Sequence, residues 1–200
     1  MVVLLTILCF ISGAVPYSYI VGKLFIKKDI RNYGDGNPGS ANVIRAGGWL
    51  IGLLAAILDF GKGFIPVIII KQNMSDSSLA LIPILIAPIL GHAFTPFLRF
   101  KGGKAVAVTY GVWMAYTNFD ALPFIGISML IFTSIQKQDA WSVVAGFLIF
   151  GAYPIFIIGN TVAISLFLTN LSILIYKHYK DLKGGILPRD WVTKLIGVGK

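Results

Sequence analysis

AWSVVAGFLIFGAYPIFIIGNTVAISLFLTNLSILIY (Ala140–Tyr176) runs for 37 residues without an Asp, Glu, Lys or Arg. A helix crosses the hydrocarbon of a bilayer with about 20 apolar residues, so this stretch is long enough for two crossings. Gly159-Asn160 is its natural break. The rest of the chain repeats the pattern. Val2–Gly22, Ser77–Leu98, Ala105–Phe119 and Ala121–Gln136 are uncharged, and Gly48–Ile70 is interrupted only by Asp59 and Lys62. None of these runs alternates with the period of two that a membrane barrel requires. Charged residues make up 12% of the chain, against about a quarter in soluble domains, and mean hydropathy is +0.83. The reading is an all-α, polytopic integral membrane protein forming a single domain over 1–200. About seven transmembrane helices are expected, near 2–23, 48–70, 79–98, 105–118, 121–136, 141–158 and 161–178. The fourth and fifth are short, which calls for tilt, kinking or an interfacial position; six crossings is the alternative.

The basic residues orient these spans. With the first connection on the cytoplasmic side, fifteen of the seventeen Lys and Arg residues fall on that side, Lys71 falls opposite, and Lys62 lies within a span. This asymmetry puts the amino terminus outside and the carboxyl terminus in the cytoplasm. The net charge of +9 is then a basic face beside anionic lipid. No nucleic-acid-binding motif accompanies it. The single cysteine, Cys9, excludes an internal disulfide. The first span lacks the basic leader of a removable signal peptide and reads as an anchor.

Three polar segments interrupt the apolar pattern, and seven crossings bring all three to the cytoplasmic face. GDGNPGSANVIRAGG (Gly34–Gly48) combines glycines that let backbone approach a ligand with Asn37, Ser40 and Asn42. Its Arg45 offers a planar fork suited to phosphate. GHAFTPFLRFKGGKAVA (Gly91–Ala107) carries His92 and the turn Lys101-Gly102-Gly103-Lys104 just before an apolar span, where NH groups and helix dipole favour an anion. It lacks the spacing of a Walker loop. ILIYKHYKDLKGG (Ile173–Gly185) places His178 and Asp181 three apart, on one helical face. Each segment alone also fits a bland reading: a flexible loop, a structural histidine, a basic collar. Asp59 and Lys62, at i and i+3 inside the second span, read as an ion pair fixing helix packing slightly ahead of a functional site. The chain has no glutamate, no His/Cys cluster at metal-ligand spacing and no nucleophile elbow, so no metal, cofactor or covalent catalysis is expected.

Together these segments resemble the bacterial acyl-phosphate:glycerol-3-phosphate acyltransferases. The first is similar to that family's GSGNxGATNxxRxxG, the second to GHxxPxFxxFKGGKGVAT, and the third to the start of ILxxRHxxNxxRLxxGxE. LDFGKGFIPV (Leu58–Val67) resembles a stretch in the family's second helix. The order and spacing agree over nearly the whole chain. The resemblance implies seven helices and a multi-pass protein of the bacterial cytoplasmic membrane. It implies transfer of an acyl group from acyl phosphate to glycerol-3-phosphate, giving 1-acylglycerol-3-phosphate and phosphate, the first step of phospholipid synthesis. The substrates and the lipid bilayer are the implied partners; no protein partner follows. By position, Asn37, Asn42 and Arg45 would contact the acceptor or shape its loop. Lys101, Gly102, Gly103 and Lys104 would hold phosphate, with Lys104 catalytic. His178 would orient the acceptor or handle its proton, Asp181 would bind substrate, and His92 would support the second motif.

The chain departs from the family pattern in a consistent direction. Asp35 stands for Ser, Asp181 for Asn and Gly184 for Arg, a shift of three charge units toward negative. Ala41 replaces Thr, and Ala105 replaces the glycine after GGK. Three readings stay open: Asp35 or Asp181 as general base with ordinary activity, a less anionic acceptor, or a weakly active paralogue. The reading from another class is a small membrane transporter or lipid-binding protein. It lacks an evident inverted repeat.

Overall fold

In the computed structural model, residues 1–195 and Gly197 are described. They are helical almost throughout and divide into two compact units, 1–119 and 120–200. Five segments are long and apolar enough to cross a membrane: Val2–Ile26, Trp49–Lys71, Leu81–Leu98, Asp139–Ile158 and Thr161–Leu182. Two shorter apolar helices, Val106–Tyr116 and Leu122–Ile135, coincide with the two spans expected to be short.

The first unit contains α1 (Val2–Ala14), α2 (Tyr17–Val21), α3 (Ser40–Gly47), α4 (Trp49–Lys71), α5 (Leu81–Ala93) and α6 (Val106–Tyr116). Pro16, which has no N–H and a fixed φ, separates α1 from α2. A π-helical turn, Gly22–Ile26, extends α2. Apolar side chains at helical spacing remain exposed, for example Val3, Leu4, Ile7, Leu8 and Ile11 on α1 and Leu50, Leu53, Leu54 and Ile57 on α4. Such stripes suit contact with lipid, where burial against protein gives no hydrophobic gain.

Helix association in this unit depends on backbone proximity. A Cβ at Gly13 would lie 2.1 Å from the carbonyl oxygen of Pro88, and one at Gly91 2.2 Å from that of Phe10, so α1 and α5 touch main chain to main chain. The α4–α6 contact is built the same way, with a Cβ at Gly111 falling 2.2 Å from the Phe60 carbonyl oxygen. Small residues at such crossings give the close van der Waals packing that holds membrane helices together. Gly111→Leu is expected to destabilise the protein by about 1–3 kcal/mol or more, as overpacking does, read as a lower melting temperature in detergent.

The second unit contains α7 (Leu122–Ile135), α8 (Asp139–Phe150), a π-helical turn (Tyr153–Ile158), α9 (Thr161–Leu182) and the short α10 (Asp190–Leu195). The break expected at Gly159-Asn160 is present. Gly159 is left-handed (φ 66°), and the Asn160 side chain accepts from Ala163 N–H to cap α9. In its core Phe147 stacks on Phe167 and Phe150 on Tyr153, and the Phe147 and Phe150 rings meet at a tilt of 40°. Gln136 closes the α7–α8 turn: its Oε1 accepts from the N–H groups of Lys137, Gln138 and Leu187.

Candidate active site

The two glycine-rich segments of the first unit fold onto each other. Tyr33–Gly36 forms a turn closed by Gly36 N–H to the Tyr33 carbonyl (3.1 Å). Gly34 is left-handed (φ 54°), and a Cβ there would meet Asn42 Oδ1 at 2.4 Å and Arg45 Nη1 at 2.8 Å. Both the left-handed φ and the crowding favour glycine. Asn42 and Arg45 are three apart on α3 and so project from one face. Buried Asn42 organises the loop: its Nδ2 donates to Asp35 Oδ1 (2.9 Å) and to the Asn37 carbonyl (2.8 Å). Its Oδ1 accepts from Arg45 Nη1 at 2.7 Å. A single amide thus sets Asp35, Asn37 and the guanidinium relative to one another. Val43, also on α3, anchors the loop in a small core with Val21, Ile30 and Ala55.

Asp35 connects this loop to the second segment. Its Oδ1 also accepts from Asn37 N–H (3.1 Å), and its Oδ2 accepts from Lys104 Nζ at 2.5 Å. Both side chains are partly exposed, 29% for Asp35 and 22% for Lys104. Burial opposes ionisation of Asp35, but the Lys104 ammonium and the hydrogen bonds from Asn37 and Asn42 outweigh it, leaving the carboxyl below its ordinary range. Because the folded pKa is depressed, the stabilisation is present above the ordinary carboxylate pKa, about 3.9. It is lost as pH falls through the lowered value.

The Lys101–Lys104 turn lies directly on His92. Gly103 N–H donates to the His92 carbonyl (3.1 Å). A Cβ at Gly102 would fall 2.0 Å from that same oxygen, and one at Gly103 2.1 Å from His92 Nε2. Gly102 is therefore required for main-chain contact with the end of α5, and Gly103 leaves room for the His92 ring. Gly102 and Gly103 are buried while Lys101 is exposed. The turn ends on Ala105, which is left-handed at φ 64° and is the N-cap of α6. This explains why the family motif carries glycine there: an L-residue in that region is strained by about 1–2 kcal/mol. Ala105→Gly is expected to be tolerated and to raise stability by up to about 1 kcal/mol after the entropy of the added glycine, measured as a small rise in melting temperature; a fall would contradict the strain.

His178 and Asp181 belong to the second unit, on α9. His178 is buried, with Nδ1 2.8 Å from the Leu174 carbonyl. A carbonyl only accepts, so the neutral ring carries its proton on Nδ1 and its lone pair on Nε2, the tautomer that can take a proton. The Asp181 main chain is held by Gln138, whose Nε2 donates to its carbonyl, and Trp141 Nε1 donates to the Leu182 carbonyl (3.2 Å). Sequence reading did not single out Gln136, Gln138 or Trp141. They act through main-chain atoms, which leave no residue-type signature at the positions they hold.

Comparison with known proteins agrees with this architecture. The sequence profile of the glycerol-3-phosphate acyltransferase family matches residues 3–186. Glycerol-3-phosphate acyltransferase 1 of Thermotoga maritima is 39% identical over 191 residues, covering 87% of this chain and 92% of the relative. The glycerol-3-phosphate acyltransferase of Pseudothermotoga lettingae is 33% identical over 198 residues, covering 99% and 97%. Among solved structures, PlsY, an integral membrane glycerol 3-phosphate acyltransferase in its glycerol 3-phosphate form, superposes with a TM-score of 0.84 at 28% identity, covering 97% of this chain and 98% of that one. Its lysophosphatidic acid form gives a TM-score of 0.81 at 27% identity. The chain belongs to the glycerol-3-phosphate acyltransferase family.

Proposed function

We propose that the protein transfers an acyl group from acyl phosphate to glycerol-3-phosphate, releasing phosphate and 1-acylglycerol-3-phosphate. The observation that carries this reading is the joining of two glycine-rich, cationic loops by Asp35 and Lys104, in a family that acylates this acceptor. The acceptor hydroxyl attacks the acyl carbonyl, a new ester C–O bond forms, and the bond from carbonyl carbon to phosphate oxygen breaks. The hydroxyl proton leaves on a base, and phosphate departs with the electron pair. Acyl phosphate is already activated, so holding the reactants together and stabilising the developing charge supply most of the rate. Lys104 is assigned both to phosphate and to the developing charge, Lys101, Gly102 and Gly103 to phosphate, and Asn37, Asn42 and Arg45 to the acceptor, with His92 supporting the turn. His178, with its lone pair on Nε2, is assigned to the acceptor proton and Asp181 to acceptor binding. The assay that tests the reading follows labelled acyl transfer by the purified protein; phosphate release that needs no acceptor, or no transfer at all, would overturn it.

The chain is best treated as one catalytic domain crossing a bacterial cytoplasmic membrane seven times, with the amino terminus outside. In this reading the short helices Val106–Tyr116 and Leu122–Ile135 are the fourth and fifth crossings, added to the five long ones. The basic residues of both loops then face the cytoplasm.

Asp35 is assigned the role of counter-charge to Lys104. It holds Lys104 against the first loop, and its lowered pKa makes it a weak base. Asp35→Ser removes a carboxylate that competes with phosphate for Lys104. It is expected to lower KM for glycerol-3-phosphate about 3–10-fold, on the scale of one charged hydrogen bond, with kcat nearly unchanged. A collapse of kcat would assign Asp35 as the base instead.

A further inference from the structure

A second polar cluster lies beneath the two loops, inside the helices of the first unit. Asp59 and Lys62 on α4 form an ion pair at 2.9 Å, with both side chains only 2% exposed. The other Asp59 oxygen accepts from Ser18 Oγ at 2.5 Å. Lys62 Nζ donates to the Val15 carbonyl (2.7 Å), just before the Pro16 break, and the Lys62 carbonyl accepts from Ser12 Oγ (2.9 Å). The carbonyl at the break therefore has the partner that irregular main chain at membrane depth requires. His92 Nδ1 on α5 lies 3.8 Å from Asp59 Oδ1. Asp59, Lys62 and His92 enclose a cavity of about 10 Å³ whose remaining walls include Pro38 of the first loop and Gly103 of the second.

Packing alone does not explain this pair. Burying two charges is costly, and apolar residues of similar size often serve stability as well or better. The pair's hydrogen bonds to Ser18 and Val15 tie α4 to the α1–α2 break, a tie that neutral hydrogen-bonding side chains can also make. Besides the α1–α2 break, the pair faces His92, whose Nδ1 lies 3.8 Å from Asp59 Oδ1, and His92 is the residue on which the Lys101–Lys104 turn rests, through its carbonyl to Gly103 N–H and its ring against Gly103. We propose that Asp59 and Lys62 are positioning residues for the phosphate-holding turn: the buried ion pair fixes His92, and His92 fixes the main chain of Gly102 and Gly103. This inference rests on the reading of that turn as a phosphate site and adds a control on its geometry from inside the membrane helices.

The test is calorimetric binding of inorganic phosphate to the purified wild-type protein and to Asp59→Asn/Lys62→Gln, which removes both charges and keeps hydrogen-bonding groups. Steady-state acyl transfer is measured in parallel. The expected result is a folded variant whose phosphate Kd rises about tenfold and whose kcat/KM falls by about 10–100-fold, the scale of a misplacement near 1 Å. A purely structural pair would lower the melting temperature and leave Kd and kcat/KM of the folded protein unchanged; that result overturns the proposal. Should the double variant fail to fold, Ser18→Ala decides. It removes one Asp59 contact, and a Kd raised about threefold or more supports the role, while an unchanged Kd overturns it. The phosphate Kd does not depend on turnover, so an inactive wild-type protein would count against the acyltransferase reading and leave this test intact.

Discussion

Lys104→Met is expected to lower kcat/KM for acyl transfer by about 10²–10³-fold, the usual loss when one preorganised charge-stabilising donor is removed. Methionine keeps most of the apolar stem, so the loss reports the ammonium and not the packing. Asp35 keeps its hydrogen bonds from Asn37 N–H and Asn42 Nδ2, so the first loop should retain its shape. The melting temperature in detergent should change little, because a partly exposed pair contributes modestly to stability. Kinetics near wild type would remove Lys104 from the site; a large fall in melting temperature would recast it as a structural tie.

Gly102→Ala is the second large effect. The added Cβ would lie 2.0 Å from the His92 carbonyl oxygen and 2.7 Å from that of Ala93. Both are main-chain atoms at the end of α5, and neither can swing aside. The turn itself must move, and displacement of a binding element by about 1 Å costs on the order of 10²-fold in rate. The expected outcome is a folded protein, by melting temperature, with kcat/KM reduced about 10²-fold. The neighbouring substitution Gly103→Ala meets a side chain, the His92 ring, which can rotate, so it should be the milder of the two. Equal, wild-type-like activity of both variants would mean that the turn does not set the chemistry.

Much of this was legible in the sequence because membrane physics leaves a coarse signal. Uncharged runs mark the helices, and the short fourth and fifth runs match the short helices Val106–Tyr116 and Leu122–Ile135. The break at Gly159-Asn160 followed from residue chemistry alone. The Asp59–Lys62 pair was legible from its i, i+3 spacing. Its connection to Ser18 and His92 was not, because those contacts span residues far apart in sequence and Ser18 sits unremarked in an apolar run. Asp35 raised doubt as an extra acid in a phosphate loop; its 2.5 Å contact with Lys104 supplies the counter-charge. The glycine pair at 102–103 read as a flexible anion cradle, and the structure adds a steric reason, the His92 main chain immediately behind it.

The central claim is that the two glycine-rich loops make one phosphate site for the acceptor. Calorimetric titration of glycerol-3-phosphate and of glycerol into the purified protein tests it most directly. Saturable binding of glycerol-3-phosphate is expected, with none of glycerol, and Lys104→Met and Arg45→Ala should each weaken it by about tenfold or more, as lost charged hydrogen bonds do. Equal binding of the two alcohols, or binding indifferent to both substitutions, would contradict the account.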